Sequence, residues 1–350
     1  MSQNLAPNTS KRLEYLDCLR VVATFAVIFD HVANQKWYAG PSMPGWTIIH
    51  VYESLAHWAV PIFVMISGAL FLPRNIRTRQ LYTKYIARIV CAFLFWTLVY
   101  GVIEYGKGYS LDIIISHLFT GQLHMWYLFM IVGLYACVPL LKPIAESERL
   151  SKYFILLAMI FAFGNYQILG IMQDWHTPGL QTFQTIIYYF GLYFVGGYTS
   201  YFLLGNLLAQ HHFTRRQRRL CYFIGLDGLL ATTILSLAMS YALGTANNRF
   251  FDNMTLNVLM TAIGVFVWAR FHCDNLPAKV RQAAAWLSPY CFGIYLMHPI
   301  IIGFLETKNI NALTWSPWLG TPVVSVLVFA VALSATWIIR KLPVLGKQIV

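Results

Sequence analysis

Ten apolar runs, each able to cross about 30 Å of hydrocarbon as a helix of about 20 residues, leave this chain little choice but to fold in a bilayer. They extend approximately from Leu16 to Ala33, Ile48 to Leu72, Tyr85 to Ile103, Met125 to Leu141, Tyr153 to Met172, Ile186 to Leu208, Cys221 to Leu243, Thr255 to Phe271, Tyr290 to Leu305 and Pro322 to Ile339. Together they take about 200 residues of the 350, and the connections between them are too short for an independent soluble domain. Composition agrees, since only 11% of residues are charged and 58% are hydrophobic, whereas a soluble domain carries about 25% charged residues. The predicted fold is all-α: a polytopic integral membrane protein with one membrane-embedded domain over residues 1–350, a short N-terminal tail at residues 1–12 and no appended soluble domain.

The net charge of +12 would suit nucleic acid only if it formed one exposed basic face. Here the basic residues sit in short clusters between apolar runs. If successive connections alternate sides, all but four of the 25 Lys and Arg fall on one side; the exceptions are Lys36, Lys107, Arg249 and Lys308. The positive-inside rule makes the basic side cytoplasmic, so both termini are expected there, and the asymmetry requires an even number of spans. Nucleic acid is excluded as a partner; the bilayer is the expected one.

The six cysteines are scattered, with no pair at redox-motif or metal-ligand spacing, so neither a disulfide framework nor a metal site is expected. The first apolar run contains Asp17 and Arg20 and lacks a small-residue cleavage pattern, which reads as an uncleaved first membrane helix. Tyr109 to Leu123 and Arg281 to Ser288 read as short interfacial helices. The run from His211 to Arg219, HHFTRRQRR, reads as a basic loop that fixes topology and meets lipid headgroups.

Ionisable side chains inside the membrane cost about 2.5–3.5 kcal/mol each on insertion scales, so those retained at depth mark function. Counting from Leu16, His31 lies ~22 Å above the cytoplasmic edge, and Glu53 and His57, on a descending helix, lie ~8–14 Å below the outer edge. The three share a level with Asp30. Glu53 and His57 are four residues apart and so face the same way, which suits a carboxylate that orients a histidine. His124, Trp126 and Tyr127 open the fourth span on the outer side, and His298 lies midway or higher in the ninth. At the cytoplasmic end stand Asp17 and Arg20 on the first span, and Lys84 and Arg88 on the third. Arg20 and His31 are separated by ~16 Å and by a rotation within ~20° of three full turns. One helix face therefore carries a phosphate-binding cation inside and a proton acceptor near the outside.

With these residues in view, the chain resembles acyltransferase family 3, membrane O-acyltransferases of bacteria that decorate surface glycans. The resemblance rests on LDCLRVVATFAVIFDH (Leu16 to His31), VPIFVMISGALF (Val60 to Phe71), HMWYL (His124 to Leu128) and FGIYLMHP (Phe292 to Pro299), in order and over essentially the whole chain. It is closest in kind to the short, single-domain members, similar to those that O-acetylate enterobacterial common antigen. One departure concerns a basic pair three apart at the entry to the third span: Arg88 fits, but Tyr85 occupies the other position with Lys84 alongside, while Arg74 and Arg77 have the spacing in the preceding loop.

The resemblance implies a location in the bacterial inner membrane, acetyl-CoA as donor from the cytoplasm, and a surface glycan or lipid-linked sugar as acceptor on the outer side. Arg20, with Arg88 and Lys84, is then expected to hold the CoA phosphates, because guanidinium forks match phosphate oxygens. His31 is expected to act as general base or acyl carrier, with Glu53 as its orienting carboxylate; Asp17, His57, His124, Trp126, Tyr127 and His298 support the site. No metal is expected. The competing class is a transporter of a glycan or small solute using the same buried groups for proton coupling; the sequence displays neither an inverted repeat nor a pair of interrupted helices that would favour it.

Overall fold

The computed structural model describes residues 13–192, 195–343 and 346–350. The N-terminal tail, with Lys11 and Arg12, lies outside the described residues. What is described is 79% helical, without strands. Eight helical stretches are long and apolar enough to cross a membrane; the first expected span is a continuous 24-residue helix whose hydropathy is lowered by Asp17, Arg20, Asp30 and His31, and the sixth is divided between two shorter helices of 11 and 13 residues.

In chain order the helices are α1 (Glu14–Trp37), α2 (Trp46–Ser54), α3 (Ala59–Phe71), α4 (Thr78–Gly106), α5 (Leu111–Thr120), α6 (Trp126–Ala136), α7 (Val138–Ala145), α8 (Glu148–Asp174), α9 (Leu180–Phe190), α10 (Tyr198–Gln210), α11 (Arg215–Leu243), α12 (Leu256–His272), α13 (Ala278–Leu287), α14 (Cys291–Glu306), α15 (Pro317–Ile339) and α16 (Gly346–Ile349). The two segments read as interfacial helices are helical, as α5 and α13.

Two spans are interrupted, which corrects the expectation of continuous helices. The second breaks at Leu55–Trp58 between α2 and α3. Pro61 accounts for the position: it has no N–H to give the carbonyl of His57, and its ring crowds that carbonyl. The sixth breaks between α9 and α10, where Gly191 and Gly197 adopt positive φ of 62° and 67°. The two inner halves, α3 and α10, pack on each other more closely than side chains would allow. A Cβ on Gly205 would come within 2.0 Å of the Met65 carbonyl oxygen, and one on Gly68 within 1.8 Å of that of Phe202. In lipid, such small-residue contacts give helix pairs their dispersion energy.

Polar contacts sort into two layers that follow the charge asymmetry. On the basic side, Arg281 pairs with Glu14, Arg270 donates to the carbonyls of Leu208 and His211, Lys142 donates to Arg74 O, and Arg340 donates to Pro289 O. On the other, Lys36 meets Glu306 at 2.7 Å and Arg249 meets Asp174 at 2.8 Å. The second pair of contacts ties the outer end of α1 to α14 and that of α8 to the loop after α11. All six cysteines are free.

Candidate active site

A cavity of about 350 Å³ runs between α1, α3, α4, α6 and α14. Each helix supplies a stripe at helical spacing. From α1 come Arg20, Val27 and His31; from α6, Tyr127, Ile131 and Tyr135, the latter at i, i+4 and i+8. Arg20 and His31 thus face one space, as their eleven-residue separation requires.

At the end of the cavity nearer the basic side, Arg20 is held by Asp17 at 3.5 Å and donates to Ser288 Oγ at 2.7 Å, with its side chain 28% exposed. Arg88 lines the same cavity beside Tyr85; its guanidinium lies 5.6 Å from the Phe292 ring centroid and donates to Val350 O at 3.0 Å. Lys84 does not line the cavity, which corrects its expected place beside Arg88. It lies in a π-helical turn, Leu81–Ile86, whose wider spacing takes it off the face that four residues of α-helix would share with Arg88. Its ammonium sits 5.5 Å from the Tyr85 ring centroid instead.

At the other end, His31 Nδ1 meets Val27 O at 2.8 Å. A carbonyl only accepts, so Nδ1 carries a proton, and in the neutral imidazole the lone pair is on Nε2. His298 packs edge to face on His31, 4.9 Å between ring centroids, and lies 5.6 Å from His124. His298 Nδ1 meets Tyr295 O at 2.6 Å. Pro299 explains this contact, because the residue four after Tyr295 has no N–H to offer its carbonyl, and the imidazole of His298 takes that place. Tyr295 OH in turn donates to His124 O at 2.6 Å. The Nε2 atoms of His124 and His298 are both buried without a hydrogen-bond partner. Trp126 and Tyr127 line the cavity, the former against Tyr198 and the latter against Phe63 and Tyr295.

Glu53 and His57 are not brought to this cavity. Glu53 Oε1 accepts from Asn34 Nδ2 at 2.6 Å and stands 3.9 Å from His57 Nε2. The orienting role assigned to Glu53 is therefore corrected: Val27 O fixes the His31 ring, and the nearest carboxylate is that of Asp30, 3.7 Å from Nδ1. Depth along a helix gives a height above the membrane plane but no azimuth, and α2 presents Glu53 to a different part of α1.

Tyr85, the residue in place of the second expected cation, lines the cavity, and so do Ser67, Tyr135 and Phe292, which were not among the candidate site residues. The Tyr127, Ile131, Tyr135 spacing carried the signal for Tyr135; nothing local marked Ser67. His50, also not singled out, is a satisfied structural histidine, accepting from Trp37 Nε1 at 3.1 Å and bonded to Ser236 Oγ at 2.9 Å.

No curated protein and no solved structure matches this chain. A family model described as an acyltransferase domain does match, over residues 13–339, from the first turn of α1 to the last residue of α15. That interval contains both ends of the cavity and every helix that lines it, and the chain belongs to acyltransferase family 3.

Proposed function

We propose that this membrane acyltransferase takes an acetyl group from cytoplasmic acetyl-CoA and passes it to a hydroxyl of a surface glycan or its lipid-linked precursor at the outer side of the bacterial inner membrane. The observation that carries the reading is one cavity with Arg20 and Arg88 at its cytoplasmic end and His31 and His124 at the other. The two guanidiniums suit CoA phosphates, and the mainly apolar wall between them and His31, with Val27, Phe63, Ile66 and Ile131, suits a thioester-bearing arm.

In this reading His31 Nε2 takes the hydroxyl proton as the oxygen attacks the thioester carbonyl. The C–O bond forms, the C–S bond breaks, and the proton passes from His31 to the departing thiolate, so no net proton is left in the membrane. Val27 O holds the imidazole in the tautomer this step needs. His298 packs edge to face against it, and His124 packs in turn on His298. The experiment that tests the reading is transfer of labelled acetyl from acetyl-CoA to lipid-linked glycan in membranes containing the wild type or His31→Ala. Label is expected in glycan only with the wild type; equal labelling would refute the assignment.

The interrupted second and sixth spans remove one argument against a transporter. Family membership decides that question in favour of acyl transfer.

A further inference from the structure

Beside the cavity, and unused by acyl transfer as described, Asp30, Glu53 and His57 form a compact set of donor atoms. His57 Nε2 stands 3.5 Å from Asp30 Oδ1 and 3.9 Å from Glu53 Oε1, and one candidate ligand atom from each residue lies within 4.8 Å of the others. Asp30 Oδ1, Glu53 Oε2 and His57 Nε2 are all buried without a hydrogen-bond partner. The Glu53 side chain is 1% exposed. Among the described residues, no lysine or arginine pairs with either carboxylate.

Two carboxylates facing a histidine in a low-dielectric place need a compensating positive charge, either a proton or a metal ion. A proton shared between two of them would draw that pair to about 2.5–2.9 Å. The observed separations, 3.5 and 3.9 Å with one donor atom of each residue within 4.8 Å of the others, are wider than that and leave room for one ion, whose ligands, about 2.0–2.1 Å from a tetrahedral centre, would lie about 3.3–3.5 Å apart once the side chains draw in around it.

We propose that Asp30, Glu53 and His57 bind one divalent cation of the zinc type, through His57 Nε2 and one oxygen from each carboxylate. The donor set fits, since imidazole and carboxylate together suit such ions. Supporting contacts are in place: Asn34 Nδ2 donates to Glu53 Oε1, and the Phe251 ring stacks on His57 at 4.3 Å, both of which fix ligand orientation. Asp30 and His57 keep 22% and 20% side-chain exposure while their donor atoms are buried, and three protein donors leave a fourth tetrahedral position for water. The ion joins Asp30 on α1, one residue from His31, to Glu53 at the end of α2 and to His57 within the break of the second span. The absence of metal expected from cysteine spacing alone does not bear on this site, because its ligands come from α1 and the interrupted span rather than from a local motif.

The test uses the full chain in detergent with His211→Ala and His212→Ala, which removes the adjacent histidines beside Glu148 as a second zinc-binding place. After zinc loading and desalting, elemental analysis is expected to find close to one zinc per chain, and chelation is expected to lower the melting temperature. Adding Asp30→Asn or Glu53→Gln, near-isosteric changes, should reduce zinc affinity at least tenfold and abolish the effect of chelator. Adding His57→Ala should do the same. Zinc well below one per chain with a melting temperature indifferent to chelator would overturn the proposal, leaving a proton at the trio. Full zinc retention by both the Asp30→Asn and Glu53→Gln proteins would overturn it equally.

Discussion

His31 and His298 meet edge to face with 4.9 Å between ring centroids, and each gives its Nδ1 proton to a backbone carbonyl on its own helix, Val27 O for one and Tyr295 O for the other. In the neutral imidazoles both Nε2 atoms therefore carry lone pairs. Only one of the two is accessible: the His31 side chain is 38% exposed and lines the cavity, whereas His298 is fully buried. In the proposed reaction this asymmetry makes His31 the proton acceptor and leaves His298 a packing role.

His31→Ala is accordingly expected to leave the protein inserted and close to wild-type stability, because a partly exposed ring is lost, while transfer falls at least a hundredfold, the usual scale of a general base (about 10²–10⁴). Detergent melting and acetyl transfer, measured on the same preparation, separate the two effects. Loss of folding in parallel with loss of transfer would instead mark a structural histidine.

Direct attack on the thioester leaves no acyl-enzyme. With labelled acetyl-CoA and no acceptor, rapid denaturation should recover no label on the protein. Label on His31 would replace the general-base step by a two-step transfer through an acyl-imidazole.

Gly205→Ala tests the pairing of α3 with α10. Its Cβ would lie 2.0 Å from the Met65 carbonyl oxygen, a backbone atom that cannot turn aside, so the helices must separate. A loss of at least about 1–3 kcal/mol, the usual cost of overpacking, is expected as a lower melting temperature. An unchanged melting temperature would mean that the two inner half-helices do not meet in the membrane.

Topology follows from the charge asymmetry. A reporter inserted near Arg216, or fused after Val350, should behave as cytoplasmic, and one near Pro178 as external. A cytoplasmic signal at Pro178 would contradict the ten-span order.

Much of this was legible in the sequence, and the failures have physical causes. Apolar runs locate spans because lipid demands internally satisfied backbone. The relation between Arg20 and His31 was legible because both lie on one continuous helix, where residue number fixes both height and angle. Contacts between helices were not, since their rotations about their own axes are set by packing. Glu53 was placed at the right level and the wrong neighbour for that reason. Lys84 was misplaced by a π turn that hydropathy does not report. The break at Leu55–Trp58 was available in Pro61, and that after α9 in the GG of residues 196–197, but strong hydrophobicity across both masked the signals.

The central claim is that one cavity joins a phosphate-binding end at Arg20 to the reacting end at His31, and the most direct measurement is titration of acetyl-CoA into the detergent-purified wild type, Arg20→Lys and His31→Gln without acceptor. Arg20→Lys keeps the charge but loses the bidentate fork, so its affinity is expected to fall about tenfold, equivalent to about 1.4 kcal/mol. His31→Gln should bind as the wild type does. Equal affinity of the wild type and Arg20→Lys, or no acetyl-CoA binding by any of the three proteins, would contradict the account.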